Sequence, residues 1–156
     1  MKKQLVPCPG FQVSEIELVY TSKVKASQRP QIATSSDAYD LFVQHWEEGK
    51  MDLVEHLKVL FLNCANKVLA IFQVSTGGFN STLADVRIIF TAALKIRSQA
   101  MILCHNHPSG NTKPSRQDEE LTRKLKEGGK LLDIKILDHL IISSEGYFSF
   151  ADEGLL

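Results

Sequence analysis

The run Ala100-Met101-Ile102-Leu103-Cys104 is continuously apolar and ends on His105-Asn106-His107-Pro108-Ser109-Gly110. A short apolar stretch closed by turn residues predicts a buried strand. Alternate residues of a strand face one side, so His105 and His107 are expected to project together from its end. Ser115 and Asp118 follow at i, i+3. Two neutral imidazoles joined by a carboxylate from the next element make three ligands of a zinc site, with the fourth position open to water. The pattern therefore points to metal-assisted hydrolysis.

Around this strand, elements of both periods alternate. Phe11 to Tyr20 is expected to be a strand carrying Val13, Ile16, Leu18 and Tyr20. Ser35 or Ser36 caps a helix to Glu48, with Ala38, Leu41, Phe42 and Trp46 on one face and Gly49 ending it. Glu55 to Leu62 and Lys67 to Ser75 make a hairpin about Asn63 to Asn66. Thr76 to Asn80 is a flexible connection. Asp85 to Arg97 is helical, burying Val86, Ile89, Phe90 and Ala93. A helix from Ser115 to Gly128 follows the histidine loop, and Lys135 to Ser143 and Tyr147 to Phe150 are the last strands. The order predicts an α/β or α+β sandwich around a mixed sheet. Residues 1–10 are expected to be a loose arm, and residues 11–156 a single domain.

Eighteen basic and 18 acidic residues cancel, which argues against a whole-protein electrostatic grip on nucleic acid. No apolar run approaches membrane-spanning length. No apolar stretch follows Met1-Lys2-Lys3-Gln4, so a signal peptide is not expected. Cys8, Cys64 and Cys104 are three cysteines without C-x-x-C spacing, which fits a reducing cytoplasm. Cys104 should face away from both histidines as buried packing. The helix after Ser115 carries Arg116, Arg123, Lys124, Lys126 and Lys130. With Glu119–Arg123 and Glu120–Lys124 paired at i, i+4, it is expected to be a solvated face.

His105, His107, Ser115 and Asp118, with the HNHPSG block and the later Leu137-Asp138-His139, resemble the RadC-like branch of the JAMM (JAB/MPN+) metalloprotein superfamily. That signature is an upstream Glu, then H-x-H, seven to ten residues, and S-x-x-D. The resemblance runs over residues 50–156, with 11–48 similar to the family's lead-in strand and helix. It implies a cytidine-deaminase-like α/β/α sandwich around a mixed sheet, the JAB/MPN domain. It also implies a zinc metallopeptidase or isopeptidase acting on a peptide or protein substrate. The alternative is a non-catalytic module associated with DNA repair or mobile elements. RadC-type proteins often carry a helix-hairpin-helix DNA-binding region, for which this chain has no room. They also usually carry Pro-Arg-Glu where Val86-Arg87-Ile88 stands. Both differences weaken the expectation of DNA contact. A zinc deaminase is excluded by the absence of H-x-E and P-C-x-x-C, and a zincin by the absence of H-E-x-x-H.

His105, His107 and Asp118 are the expected zinc ligands. Asp118 has a rival role as the acidic N3 residue of a helix capped by Ser115; beside H-x-H the ligand role takes precedence. Ser115 is expected both to cap and to offer its hydroxyl to a developing oxyanion. Glu55, at the start of an apolar strand, matches the family's proton-shuttling glutamate, whereas Glu47, Glu48 and Asp52 lie in or just after the preceding helix. Asp138 and His139 must face opposite sides, so one of them could orient a ligand; the plainer reading is a buried polar pair satisfied by backbone. Asn106, Ser109 and Gly110 shape the loop, and His45 and His56 are surface or packing residues. Oligomeric state is open.

Overall fold

The computed structural model describes residue 14, residues 16–76 and residues 84–156. Helix α1 spans Ser35–Gln44, strands β1 and β2 span His56–Leu62 and Val68–Thr76, and helix α2 spans Val86–Lys95. Strand β3 (Ala100–Asn106), helix α3 (Arg116–Leu132) and strands β4 (Lys135–Ser143) and β5 (Gly146–Ser149) complete the order. A five-stranded sheet runs β2-β1-β3-β4-β5. Only β3 and β4 are parallel, and the other pairs are antiparallel. The α3 crossover makes that parallel pairing possible.

All seven residues of β3 are buried, because helices cover both faces of the sheet. Ile102 and Cys104 pack on one face with Ala38 and Phe42 of α1. Met101 and Leu103 pack on the other with Ile89, Phe90 and Ala93 of α2 and Leu125 of α3. This is the expected α/β/α arrangement around a mixed sheet. Cys104 lies on the α1 face, opposite the histidines, and burial pushes its thiol up.

Several local expectations change. Residues 16–20 form no strand, and Ile16 and Leu18 are 89% and 78% exposed. Alternation yields a strand only where a neighbour and a covered face exist; here the Tyr20 hydroxyl merely donates to the Leu69 carbonyl. Phe11 and Val13, the arm 1–10 and residues 77–80 of the connection lie outside the described residues.

Helix α1 is capped by Thr34 rather than by Ser35 or Ser36. Thr34 and Asp37 close a capping box, and Ser35 Oγ donates to Asp152 instead. The helix stops at Gln44, not Glu48. The Lys58 ammonium donates to the His45 carbonyl at 2.7 Å and lies 4.7 Å from the Trp46 ring, a cation where the helix dipole favours one.

Helix α3 passes its expected end at Gly128 and turns at Asp133, which is left-handed with φ 54°. Its two glycines serve close packing. A Cβ on Gly128 would meet Phe90 Cε2 at 2.7 Å, and one on Gly129 would meet the Ile134 carbonyl oxygen at 2.3 Å. Since the second obstacle is backbone, Gly129→Ala is expected to destabilise by about 1–3 kcal/mol, outweighing the gain of about 1 kcal/mol in helix propensity. Urea unfolding measures this, and a stabilised variant would contradict it. The ion pairs along α3 are Arg116–Glu120 and Arg123–Glu127. They engage Glu120 and Arg123 and so replace both expected pairs.

One irregularity matters for the site. Between Met101 and Ile102 the β3–β4 register slips by one residue, so that Met101 faces Ile136 but Ile102 faces Asp138. Leu137 and Asp138 therefore fall on the same side, and His139 moves to the α3 face beside Leu103.

Candidate metal centre

The backbone of β3 carries both histidines into place. His105 is its penultimate residue, and the His107 amide donates to the Ile142 carbonyl at 2.9 Å. That bond prolongs the ladder to β4 by one residue and keeps His107 on His105's face. The loop then turns at Gly110, whose φ of +81° suits glycine and whose amide donates to the His107 carbonyl. Ser115 caps α3. Its Oγ accepts from the Asp118 amide at 3.3 Å, while Asp118 Oδ2 accepts from the Ser115 amide at 2.6 Å.

This capping box does not compete with the ligand role. It aims the Asp118 carboxylate at the histidines. His105 Nε2 lies 2.9 Å from His107 Nε2 and 3.1 Å from Asp118 Oδ1, and His107 Nε2 lies 3.7 Å from Asp118 Oδ2. One ligand atom from each residue fits within 4.8 Å of the others. Tetrahedral zinc with bonds of about 2.0–2.1 Å separates its ligands by roughly 3.3 Å, close to the 2.9 and 3.1 Å from His105 Nε2 to its two neighbours. Two imidazole nitrogens and one carboxylate oxygen are also a zinc donor set.

Hydrogen bonds set the orientation of each group. His107 Nδ1 meets the Asn111 carbonyl at 2.5 Å, so Nδ1 carries the proton and Nε2 keeps its lone pair. His105 Nδ1 meets His139 Nε2 at 2.9 Å. Burial pushes the Asp118 carboxyl up, but the hydrogen bond and charge of His105, and the bonds from Ser115, outweigh it. The carboxyl is held well below the usual carboxylate range.

The groove beside the cluster, about 740 Å³, is lined by His107, Glu55, Ser115, Asp52, Pro108 and Asn111, among others. Strands β1 and β3 pair with Leu57 opposite His105. Glu55, two residues before Leu57, lines the groove together with His107. The structure thus brings Glu55, Ser115, His105, His107 and Asp118 to one place. Asp52, set apart by its sequence position, lines the same groove, because the segment before β1 folds back over it.

Three residues here exceed their sequence reading. Asn106 does more than shape the loop. It is fully buried and grips the backbone on both sides of Glu55. Its Oδ1 accepts from the His56 amide at 2.7 Å, and its Nδ2 donates to the carbonyls of Met51 and Val54 at 2.6 and 2.9 Å. Its place between two histidines was the available signal, since the middle residue of H-x-H must face the opposite side. Thr122 had no signal beyond lying one turn after Asp118. His139 is not satisfied by backbone: both ring nitrogens bond side chains, Thr122 Oγ1 and His105 Nδ1. Asp138 points away and accepts from Ser149 Oγ and the Ala151 amide. His45 is exposed, and His56 packs against Trp46, as expected.

His139 is unexposed. Burial first, then the nearby His105, push its imidazole well below the ordinary range, with Asp118 opposing. Below about pH 6.5 the unfolded chain therefore binds a proton that the folded chain refuses. Stability should fall with pH from about 6.5 down to the folded value, by up to about 1.4 kcal/mol per pH unit for this group. Urea unfolding of chelator-treated protein across that range should show a steeper acid loss for wild type than for His139→Gln. Equal slopes would contradict it.

Residues 32–155 match the family model of the RadC-like JAB domain. A UPF0758 protein of Flavobacterium johnsoniae is 50% identical over 101 residues, covering 65% of this chain and 44% of that protein. One of Porphyromonas gingivalis is 48% identical over 103 residues, covering 65% and 45%. One of Clostridium tetani is 39% identical over 132 residues, covering 85% and 57%. The chain spans about half the length of the curated relatives it matches. Among the described residues no helix is long and apolar enough to cross a membrane. With the histidine strand, the capped helix and the sheet order all inside the matched span, the chain belongs to the RadC-like JAB domain family.

Proposed function

We propose that this domain is a zinc-dependent hydrolase of amide bonds in peptide or protein substrates. One observation carries the reading: His105, His107 and the Asp118 carboxylate converge at the wall of a groove that also holds Glu55 and Ser115. His105, His107 and Asp118 would hold the ion, beside the groove that His107 lines. A bound zinc ion supplies Lewis acidity and lowers the pKa of its water to about 7.

The rest of the chemistry belongs to the chain. Glu55 takes a proton from the attacking water and delivers it to the departing amine, which cannot leave as an anion at neutral pH. Ser115 Oγ already accepts from the Asp118 amide, so its own proton is available to the oxygen that gains charge as the carbonyl is attacked. Asn106 holds the backbone that carries Glu55. The thiols of Cys64 and Cys104 are free, and the cytoplasm we assign is a compartment that keeps them so.

The test begins with metal analysis of protein purified without chelator, where one zinc per chain is expected. A zinc-replete peptide library should then yield a substrate whose cleavage stops on chelation. Absence of zinc uptake ends the reading. Tight DNA binding with a steep salt dependence, and no cleavage, would replace it with the accessory-module alternative.

A further inference from the structure

We propose that His139, anchored by Thr122, is the positioning residue that sets the tautomer of His105 and turns its Nε2 lone pair toward the metal. The inference rests on the metal reading above and adds a relay that the ligand motif does not contain.

Direction along the relay follows from its far end. Thr122 Oγ1 lies 2.7 Å from the Asp118 backbone carbonyl. A carbonyl can only accept, so the single hydroxyl proton of Thr122 is committed there. The 2.7 Å contact between Thr122 Oγ1 and His139 Nδ1 must then be a bond from Nδ1–H to the hydroxyl oxygen. In a neutral ring this leaves Nε2 as an acceptor, and its partner at 2.9 Å is His105 Nδ1. His105 consequently keeps its proton on Nδ1, and Nε2, which faces His107 and Asp118, is the coordinating atom.

Packing leaves the relay little freedom. Phe150 stacks on the His139 ring with centroids 4.9 Å apart and planes 13° from parallel. Both His139 and Thr122 are buried, at 0% and 3% exposure. Asp118 and Thr122 stand one helical turn apart, so one face of α3 supplies both the ligand carboxylate and the relay's terminal carbonyl. His107 has a simpler device in the Asn111 carbonyl. The deeper ligand has this relay of side chains in its place, whose loss leaves either tautomer open to His105.

Zinc affinity, measured by chelator competition, is the first readout. His139→Leu is expected to bind zinc about 10–100-fold more weakly. His139→Gln should stay close to wild type, because its amide offers an acceptor to His105 and a donor to Thr122. Should His139→Leu fail to fold, Thr122→Val decides, as it keeps the shape and removes the anchor; affinity between wild type and that loss is expected. The second readout is nitrogen NMR of zinc-loaded protein. It should show a slowly exchanging His105 Nδ1 proton, coupled across the hydrogen bond to His139 Nε2. A folded His139→Leu or Thr122→Val with wild-type affinity, or a His105 proton found on Nε2, overturns the proposal. If wild type takes up no zinc, the metal reading fails by itself. The same nitrogen shifts, recorded without metal, then still decide the relay: a proton on His105 Nδ1 keeps it, and a bare Nδ1 rejects it.

Discussion

Glu55→Gln is expected to keep one zinc per chain and to lose about 10²- to 10⁴-fold in turnover on amide substrates, the contribution typical of a positioned general acid–base. The side chain keeps its shape and reach but can no longer accept a proton. Its setting supports the effect. Glu55 lines one groove with His107 and Ser115, and Asn106 holds the peptide units on either side of it. Metal content and chelator-sensitive cleavage, measured on the same preparations, separate the two functions. Asp52→Asn is the informative companion, since Asp52 lines the same groove and is expected to retain most activity. If Glu55→Gln cleaves as fast as wild type while Asp52→Asn is inactive, the proton shuttle is Asp52.

Asp118→Asn should abolish zinc binding while leaving α3 capped. The carboxylate does two jobs with two oxygens. Oδ2 accepts from the Ser115 amide, and Oδ1 faces His105 Nε2. An amide oxygen can accept from Ser115 but is a poor zinc ligand. At a zinc concentration about 100 times its Kd, wild type should gain about 2.7 kcal/mol of stability from mass action. Asp118→Asn should gain none. Asp118→Ala should lose the same zinc response and, in addition, about 1 kcal/mol of zinc-free stability with the cap. Thermal melts with and without zinc read both effects. A zinc-dependent rise in Tm for Asp118→Asn equal to wild type would remove Asp118 from the ligand set.

The two expectations differ in how legible they were. Asp118 stands in a local pattern. S-x-x-D spacing closes a capping box whatever the helix packs against, and here the same geometry aims the ligand. Glu55 depends on β1 lying beside β3, a pairing between residues some 50 positions apart that no local period encodes. The helix ends were misread for a related reason. Gly128 resembles a stop signal, yet it is there because the Phe90 ring leaves no room for a Cβ. Helix α1 ends at Gln44, and Lys58, from a strand, reaches the carbonyl that follows. Residues 16–20 alternate only imperfectly and form no strand.

His139 marks the boundary most sharply. From the sequence, Asp138 and His139 must face opposite sides of their strand, and either could have met the histidines. Strict alternation from Ile136, which packs on the α3 face, would have put Asp138 there. The one-residue slip beside Met101 reverses the choice and delivers an imidazole to His105. Periodicity is a property of neighbours along the chain, so the spacing of His105, His107, Ser115 and Asp118 was enough to foresee that two imidazoles and a carboxylate converge at a strand end. Register is a property of two strands together. Which carboxylate lines the groove beside the histidines, and which side chain meets His105 Nδ1, were therefore decided only when the sheet assembled.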